Sequence, residues 1–270
     1  MALTPFQEEV CRLIARNRVA SGESYIAGGV ALNVALDAPR LSRDIDIFHD
    51  SAEALQISWE QDRVLLEEQG LQVEVVRDAQ AYVEAVIRSK DDQVLLQWVR
   101  DSAYRFFPLV EDECLGLTLH PFDLATNKVL ALVGRLEIRD WIDVQESTRK
   151  IQPLGLLAWA ACGKDPGFSP LAILNEAARS SHYSAEELDR LDFAGSPPDL
   201  AALSSRWKEM LKTAHQMIDL LPSEHAGQCL LEEDGKLFSG DLEQLESLLG
   251  KGENHWHCGT LGGVLPEIVG

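Results

Sequence analysis

YIAGGVALNVALDAPRLSRDIDIFHD, residues Tyr25 to Asp50, is the stretch on which the reading of this chain turns. Gly28-Gly29 follows a short apolar lead and opens a run rich in Ala and Leu, good helix formers, which closes near Pro39. Asp44-Ile45-Asp46 then lies inside a β-branched segment. On a strand, residues two apart share a face, so Asp44 and Asp46 can share one divalent cation while Ile45 and Ile47 point into a core. A glycine pair lets backbone come close to phosphates, and the helix N-terminus after it favours anions. A phosphate cradle beside a metal-binding strand is equipment for phosphoryl or nucleotidyl transfer.

Outward from this block, Thr4 reads as an N-cap with Pro5 at the first helical position, opening an amphipathic helix over residues 5–20. Residues 52–69 read as a helix ending at Gly70. Three strands are expected at Leu71–Arg77, Tyr82–Arg88 and Val94–Val99, the last two joined as a hairpin through Ser89-Lys90-Asp91-Asp92. This order of helices and strands predicts an α+β fold, a mixed β-sheet flanked by helices. After Pro121 the periodicity becomes helical, over 122–135, 137–150, 153–162, 169–179, 184–192 and 198–221. From Pro222 the pattern weakens; residues 242–249 suggest one short helix, and the Gly-rich end reads as a loose tail.

The 270 residues carry a net charge of -20, which argues against indiscriminate binding to nucleic acid or to an anionic membrane. Cys11, Cys114, Cys162, Cys229 and Cys258 are scattered and odd in number, as expected of reduced thiols in a cytoplasmic protein. No apolar run reaches membrane-spanning length, so no membrane association is expected. His255-Trp256-His257-Cys258 offers soft ligands without the rest of a zinc site.

Gly28-Gly29-Val30-Ala31-Leu32 with Arg40-Leu41-Ser42-Arg43-Asp44-Ile45-Asp46 resembles the nucleotidyltransferase superfamily that includes DNA polymerase beta. A second block is Asp101-Ser102-Ala103-Tyr104-Arg105, then Asn127-Lys128, Arg135 and Arg139-Asp140-Trp141-Ile142-Asp143, with a softer match at Lys164–Pro170. It narrows the resemblance to the AbiEii/AbiGii toxins of type IV toxin–antitoxin and abortive-infection systems. The resemblance implies a nucleotidyltransferase-like α/β domain over residues 1–115 and a helical domain over 116–270.

It also implies Mg²⁺ held by Asp44 and Asp46, and transfer of a nucleoside monophosphate from an NTP substrate to a hydroxyl of an RNA, such as a tRNA, or of a protein. Gly28, Gly29 and Ser42 would hold phosphates, and Lys128 with Arg135 would balance their charge. Asp143 or Asp140 would position the helical pair or the acceptor. A cognate antitoxin would be the partner. For Arg139, Asp140 and Asp143, an interhelical ion pair is the structural alternative. One departure is plain: Gln97 stands where these enzymes usually place a third carboxylate. Asp101 and Glu74 are neighbouring carboxylates. A neutral amide there admits a second reading, a catalytically degenerate protein of the same fold that binds a nucleotide or partner.

Overall fold

The computed structural model describes residues 3–180 and 182–267. Two compact units divide the chain: Met1–Ala103, Leu109–His120 and Asp192–Gly195 form the first, and Tyr104–Pro108, Pro121–Leu191 and Ser196–Gly270 the second. In chain order the first ten elements are α1 (Pro5–Ser21), β1 (Ser24–Ala27), α2 (Gly28–Ala35), β2 (Arg40–Leu41), β3 (Asp44–His49), α3 (Ala52–Glu68), β4 (Gln72–Ala79), β5 (Tyr82–Arg88), β6 (Gln93–Arg100) and β7 (Tyr104–Arg105). Two short strands follow, β8 (Val110–Asp112) and β9 (Gly116–Thr118). Then come α4 (Pro121–Arg135), α5 (Ile138–Lys150), α6 (Leu154–Ala161), α7 (Pro170–Ala177), α8 (Ala185–Leu188), β10 (Asp192–Phe193) and α9 (Leu200–Leu220). The described chain ends with β11 (Cys229–Glu232), α10 (Leu242–Lys251), β12 (Asn254–His257) and β13 (Thr260–Leu261).

The first unit is built on a seven-stranded sheet in the order β4-β5-β6-β3-β1-β9-β8. β3 runs parallel to β6 and β1 parallel to β9, while the other pairs are antiparallel, so the sheet is mixed. The expected hairpin is β5–β6, with Ser89 donating its N–H to the Asp92 carbonyl at the turn. Local chemistry sets the flanking helices. Thr4 accepts from the Gln7 amide while the Gln7 side chain returns to the Thr4 N–H, a reciprocal cap that opens α1. Ser51 caps α3 through the Ala54 N–H.

One face of the sheet is wholly apolar at its centre. Ile45, Ile47, Val83, Ala85, Ile87, Leu96 and Trp98 are fully buried there. α1 and α3 pack on this sheet, and Trp59 of α3 meets Trp98 edge-on at 4.6 Å between centroids. Asp62 of α3 accepts from Trp98 Nε1 at 3.0 Å and from Asn17 Nδ2 at 3.0 Å, tying α1, α3 and β6 together. The alternate residues of β3, β5 and β6 are left half-exposed on the opposite face.

In the second unit α6 is buried along its whole length, with α4, α5, α7 and α9 packed around it. The stretch from Pro222, weakly patterned as sequence, has regular structure. β11 pairs with β12, and Leu230, Phe238 and Leu245 join Leu156, Trp159 and Met217 in one apolar cluster. His257, expected in a loose tail, is a β12 residue whose Nε2 lies 2.8 Å from the Phe106 carbonyl.

Candidate active site

Strand β3 alternates strictly. Ile45, Ile47 and His49 are fully buried, while Asp44, Asp46 and Phe48 lie on the half-exposed face. Asp44 and Asp46 therefore share one side, held still by the two isoleucines beneath. β1 pairs with β3 so that Ala27 faces Asp46, which brings the start of α2 alongside that carboxylate.

Gly28 has φ +67°, and a Cβ there would lie 2.0 Å from Asp46 Oδ2. A Cβ on Gly29 would lie 2.8 Å from both Arg40 Nη2 and Ser42 Oγ. The glycine pair is thus a backbone surface against which a carboxylate, a guanidinium and a hydroxyl all rest. Arg40 is buried, and as the first residue of β2 it reaches Gly29 across the turn from α2, a contact that motif spacing alone does not show. A cavity of about 500 Å³ opens beside Asp44, walled by Thr4 and Gln7 at the start of α1, by Leu41–Arg43, and by Leu95 of β6. A cavity of this size is within the range of small-molecule sites, roughly 300–1,000 Å³.

Across the sheet, Asp46 of β3 stands opposite Gln97 of β6, and Gln97 stands opposite Glu84 of β5. Gln97 Nε2 donates to Glu84 Oε1 at 3.1 Å. Tyr82 lies two residues from Glu84 on the same face, and its hydroxyl pKa is raised first by burial and then by the Glu84 charge. Asp101 and Glu74, the neighbouring carboxylates named from the sequence as substitutes for a third acid, have partners of their own. Asp101 caps the Ser102 N–H just past β6, and Glu74 pairs with Arg88 at 3.0 Å near the edge of the sheet.

The remaining predicted residues belong to the second unit. Lys128 on α4 is buried, with Nζ 3.1 Å from Asp140 Oδ1 and 3.2 Å from Asp143 Oδ2, both on α5. Arg135, two turns beyond Lys128, grips Asp140 with Nε at 2.6 Å and Nη2 at 2.9 Å. Burial pushes the Asp140 carboxyl upward, but hydrogen bonds from Arg135 and the Lys128 charge outweigh it and leave it below the ordinary carboxylate range. Arg139 reaches Glu137 at 2.6 Å. Lys164, from the softer block, lies 2.7 Å from Asp123, whose carboxylate also accepts the Phe106 and Phe107 N–H groups.

The donors on β3 suit Mg²⁺. They are hard carboxylate oxygens on one face of a rigid strand, and Gly28 leaves Asp46 room that any Cβ would fill. Among the described residues no three His, Cys, Asp or Glu side chains converge on one point. Any further oxygens would come from substrate, water or an amide. Among the described residues no helix is long and apolar enough to cross a membrane.

A mixed sheet with a glycine-opened helix against an Asp-x-Asp strand is the architecture of a nucleotidyltransferase. Residues 12–218 match the family described as nucleotidyl transferase AbiEii toxin, type IV TA system, and the chain belongs to that family. Among solved structures it is similar to MenT4, the nucleotidyltransferase toxin Rv2826c from Mycobacterium tuberculosis H37Rv. That match has a TM-score of 0.50 and 14% identity and covers 90% of each chain. JHP933 from Helicobacter pylori is similar over 78% of this chain and 91% of its own, with 14% identity and a TM-score of 0.46. Comparison with curated proteins gave no significant match.

Proposed function

We propose that the chain is a Mg²⁺-dependent, cytoplasmic nucleotidyltransferase toxin that moves a nucleoside monophosphate from an NTP to a hydroxyl of RNA, such as a tRNA, or of a protein. A cognate antitoxin would restrain it. The observation that carries this reading is the seating of Asp46 against Gly28, with Asp44 on the same face and a cavity alongside. Bound by Asp44 and Asp46, Mg²⁺ would supply charge neutralisation along the triphosphate.

The chain's own residues would do the rest. Backbone at Gly28 and Gly29, with the Ser42 hydroxyl and the Arg40 guanidinium, would hold the phosphates. With the α-phosphorus fixed, the acceptor hydroxyl oxygen would form the new P–O bond, its proton would pass to solvent water, and the bond to pyrophosphate would break. Lys128 and Arg135 hold Asp140, and Lys128 also holds Asp143, which would keep α4 and α5 in the arrangement that presents the acceptor.

The test is incorporation of α-labelled NTPs into a cell extract by the purified protein with Mg²⁺. RNase and protease sensitivity of the product separate the two acceptor classes. Incorporation should vanish in the Asp44→Asn, Asp46→Asn variant. No label from any of the four NTPs would overturn the reading. The uncharged Gln97 opposite Asp46 is the observation that favours the second reading, binding without turnover, and any incorporation by the unaltered chain excludes it.

A further inference from the structure

The geometry points to Gln97 as a third oxygen donor at the Asp46 site, with Glu84 as the positioning residue that turns the Gln97 amide to that task. The inference rests on the metal reading above and extends it to two residues outside the Asp-x-Asp pair.

Register is the first support. Asp46, Gln97 and Glu84 occupy one row across three neighbouring strands, β3, β6 and β5, on the same half-exposed face. Adjacent strands are about 4.8 Å apart, so Gln97 is the side chain nearest Asp46 along that row. Hydrogen-bond chemistry is the second. An ionised carboxylate only accepts, so the Gln97 group facing Glu84 is its NH₂, at 3.1 Å. That bond commits the nitrogen to the β5 side and leaves the carbonyl oxygen as the free end of the amide. Amide oxygens are ordinary ligands for hard cations.

Glu84 stands directly across from Gln97 on β5, and its charge also acts on the Tyr82 hydroxyl two residues away on the same face, over whose ring Arg77 lies at 5.1 Å. Its negative charge polarises the amide it holds and makes the carbonyl oxygen a better donor, as a carboxylate does for a metal-bound imidazole. A neutral residue beside Asp46 thereby borrows charge from the next strand.

Mn²⁺ binding to the full chain, followed by loss of the free-ion EPR signal, tests this without any turnover. Glu84→Ala should weaken binding by about tenfold or more, in the range of outer-sphere partners generally. Glu84→Gln keeps an acceptor for the Gln97 amide and loses only the charge, so it should fall between Glu84→Ala and the parent. It also supplies an isosteric readout should Glu84→Ala fail to fold. Gln97→Asp places a carboxylate directly in the row and should make the further loss of Glu84 nearly silent. If Glu84→Ala and Glu84→Gln bind as the parent does, while Asp44→Asn, Asp46→Asn has lost the ion, the role of Glu84 is overturned and the metal reading stands. An equal loss on removing Glu84 with and without Gln97→Asp also overturns it. If Asp44→Asn, Asp46→Asn matches the parent, the metal reading itself falls.

Discussion

The carboxylate of Asp46 fills the space that a side chain on residue 28 would need, with Oδ2 2.0 Å from the position of a Cβ. The neighbour differs: at residue 29 the intruding atoms are the ends of the Arg40 and Ser42 side chains. Gly28→Ala should therefore abolish nucleotide incorporation and lower stability, since the φ of +67° alone costs an L-residue about 1–2 kcal/mol. Gly29→Ala should fold normally and lose activity only in part. A comparable loss for both variants in the incorporation assay would show that the close contact with Asp46 is unimportant.

Lys128 lies between two buried carboxylates, so its removal takes the lysine ion pair from both and leaves Asp140 to Arg135. Lys128→Met should destabilise the protein by about 3–5 kcal/mol in urea unfolding. Asp140→Asn should cost less, because Lys128 keeps Asp143 and Arg135 is partly exposed to water. Unfolding midpoints within error of the parent for Lys128→Met would refute a structural role for this network.

How much of this was visible in the residues alone follows from what each element needs. Hairpin β5–β6 and the acidic strand were legible because alternation and turn residues are local. Gln97 could be placed by counting along its own strand. Glu84 could not: within Tyr82–Arg88 it is merely one polar residue in an alternating run, and its partner is fixed by register between strands. β8, β9 and β10 are two or three residues long, too short to carry a period. β11 and β12 were hidden for another reason, since each is only four residues long and their apolar side chains are buried against Leu156 and Trp159 of α6, some seventy residues before β11.

His49, at the end of the acidic strand, faces away from Asp46 and is fully buried, with Nδ1 3.3 Å from the Val99 carbonyl and no partner for Nε2 among the described residues. Burial lowers its pKa from 6.5 to about 4, with Arg18 adding to the effect. The folded protein thus binds fewer protons here than the unfolded chain between those two values. The stabilising contribution is complete above about pH 6.5 and is lost as pH falls toward 4, a difference of about 3 kcal/mol. Urea midpoints measured from pH 7 to pH 4.5 should fall steeply in the parent and less so in His49→Gln. Parallel slopes would rule this out.

Asp62 is the buried acceptor for Trp98 and Asn17, and its charge lies close to the fully buried Arg18, which donates Nη1 to the Leu115 carbonyl at 3.0 Å. Asp62→Ala leaves the Trp98 indole N–H and the Asn17 amide without their acceptor and removes a neighbouring negative charge from buried Arg18. We expect a loss of about 3–5 kcal/mol and a red shift of tryptophan emission. An unshifted spectrum with unchanged stability would contradict it.

Asp192 and Phe193 return from late in the chain to pair with Leu41 and Arg40, and Arg43 binds Asp192 at 2.7 Å. During synthesis on the ribosome, the arm leading into the acidic strand therefore waits for some 150 further residues before its mate exists. The corner beside Asp44 stays unfinished on the ribosome until Asp192 and Phe193 have emerged, so the transfer proposed for it would be withheld from the cell until then.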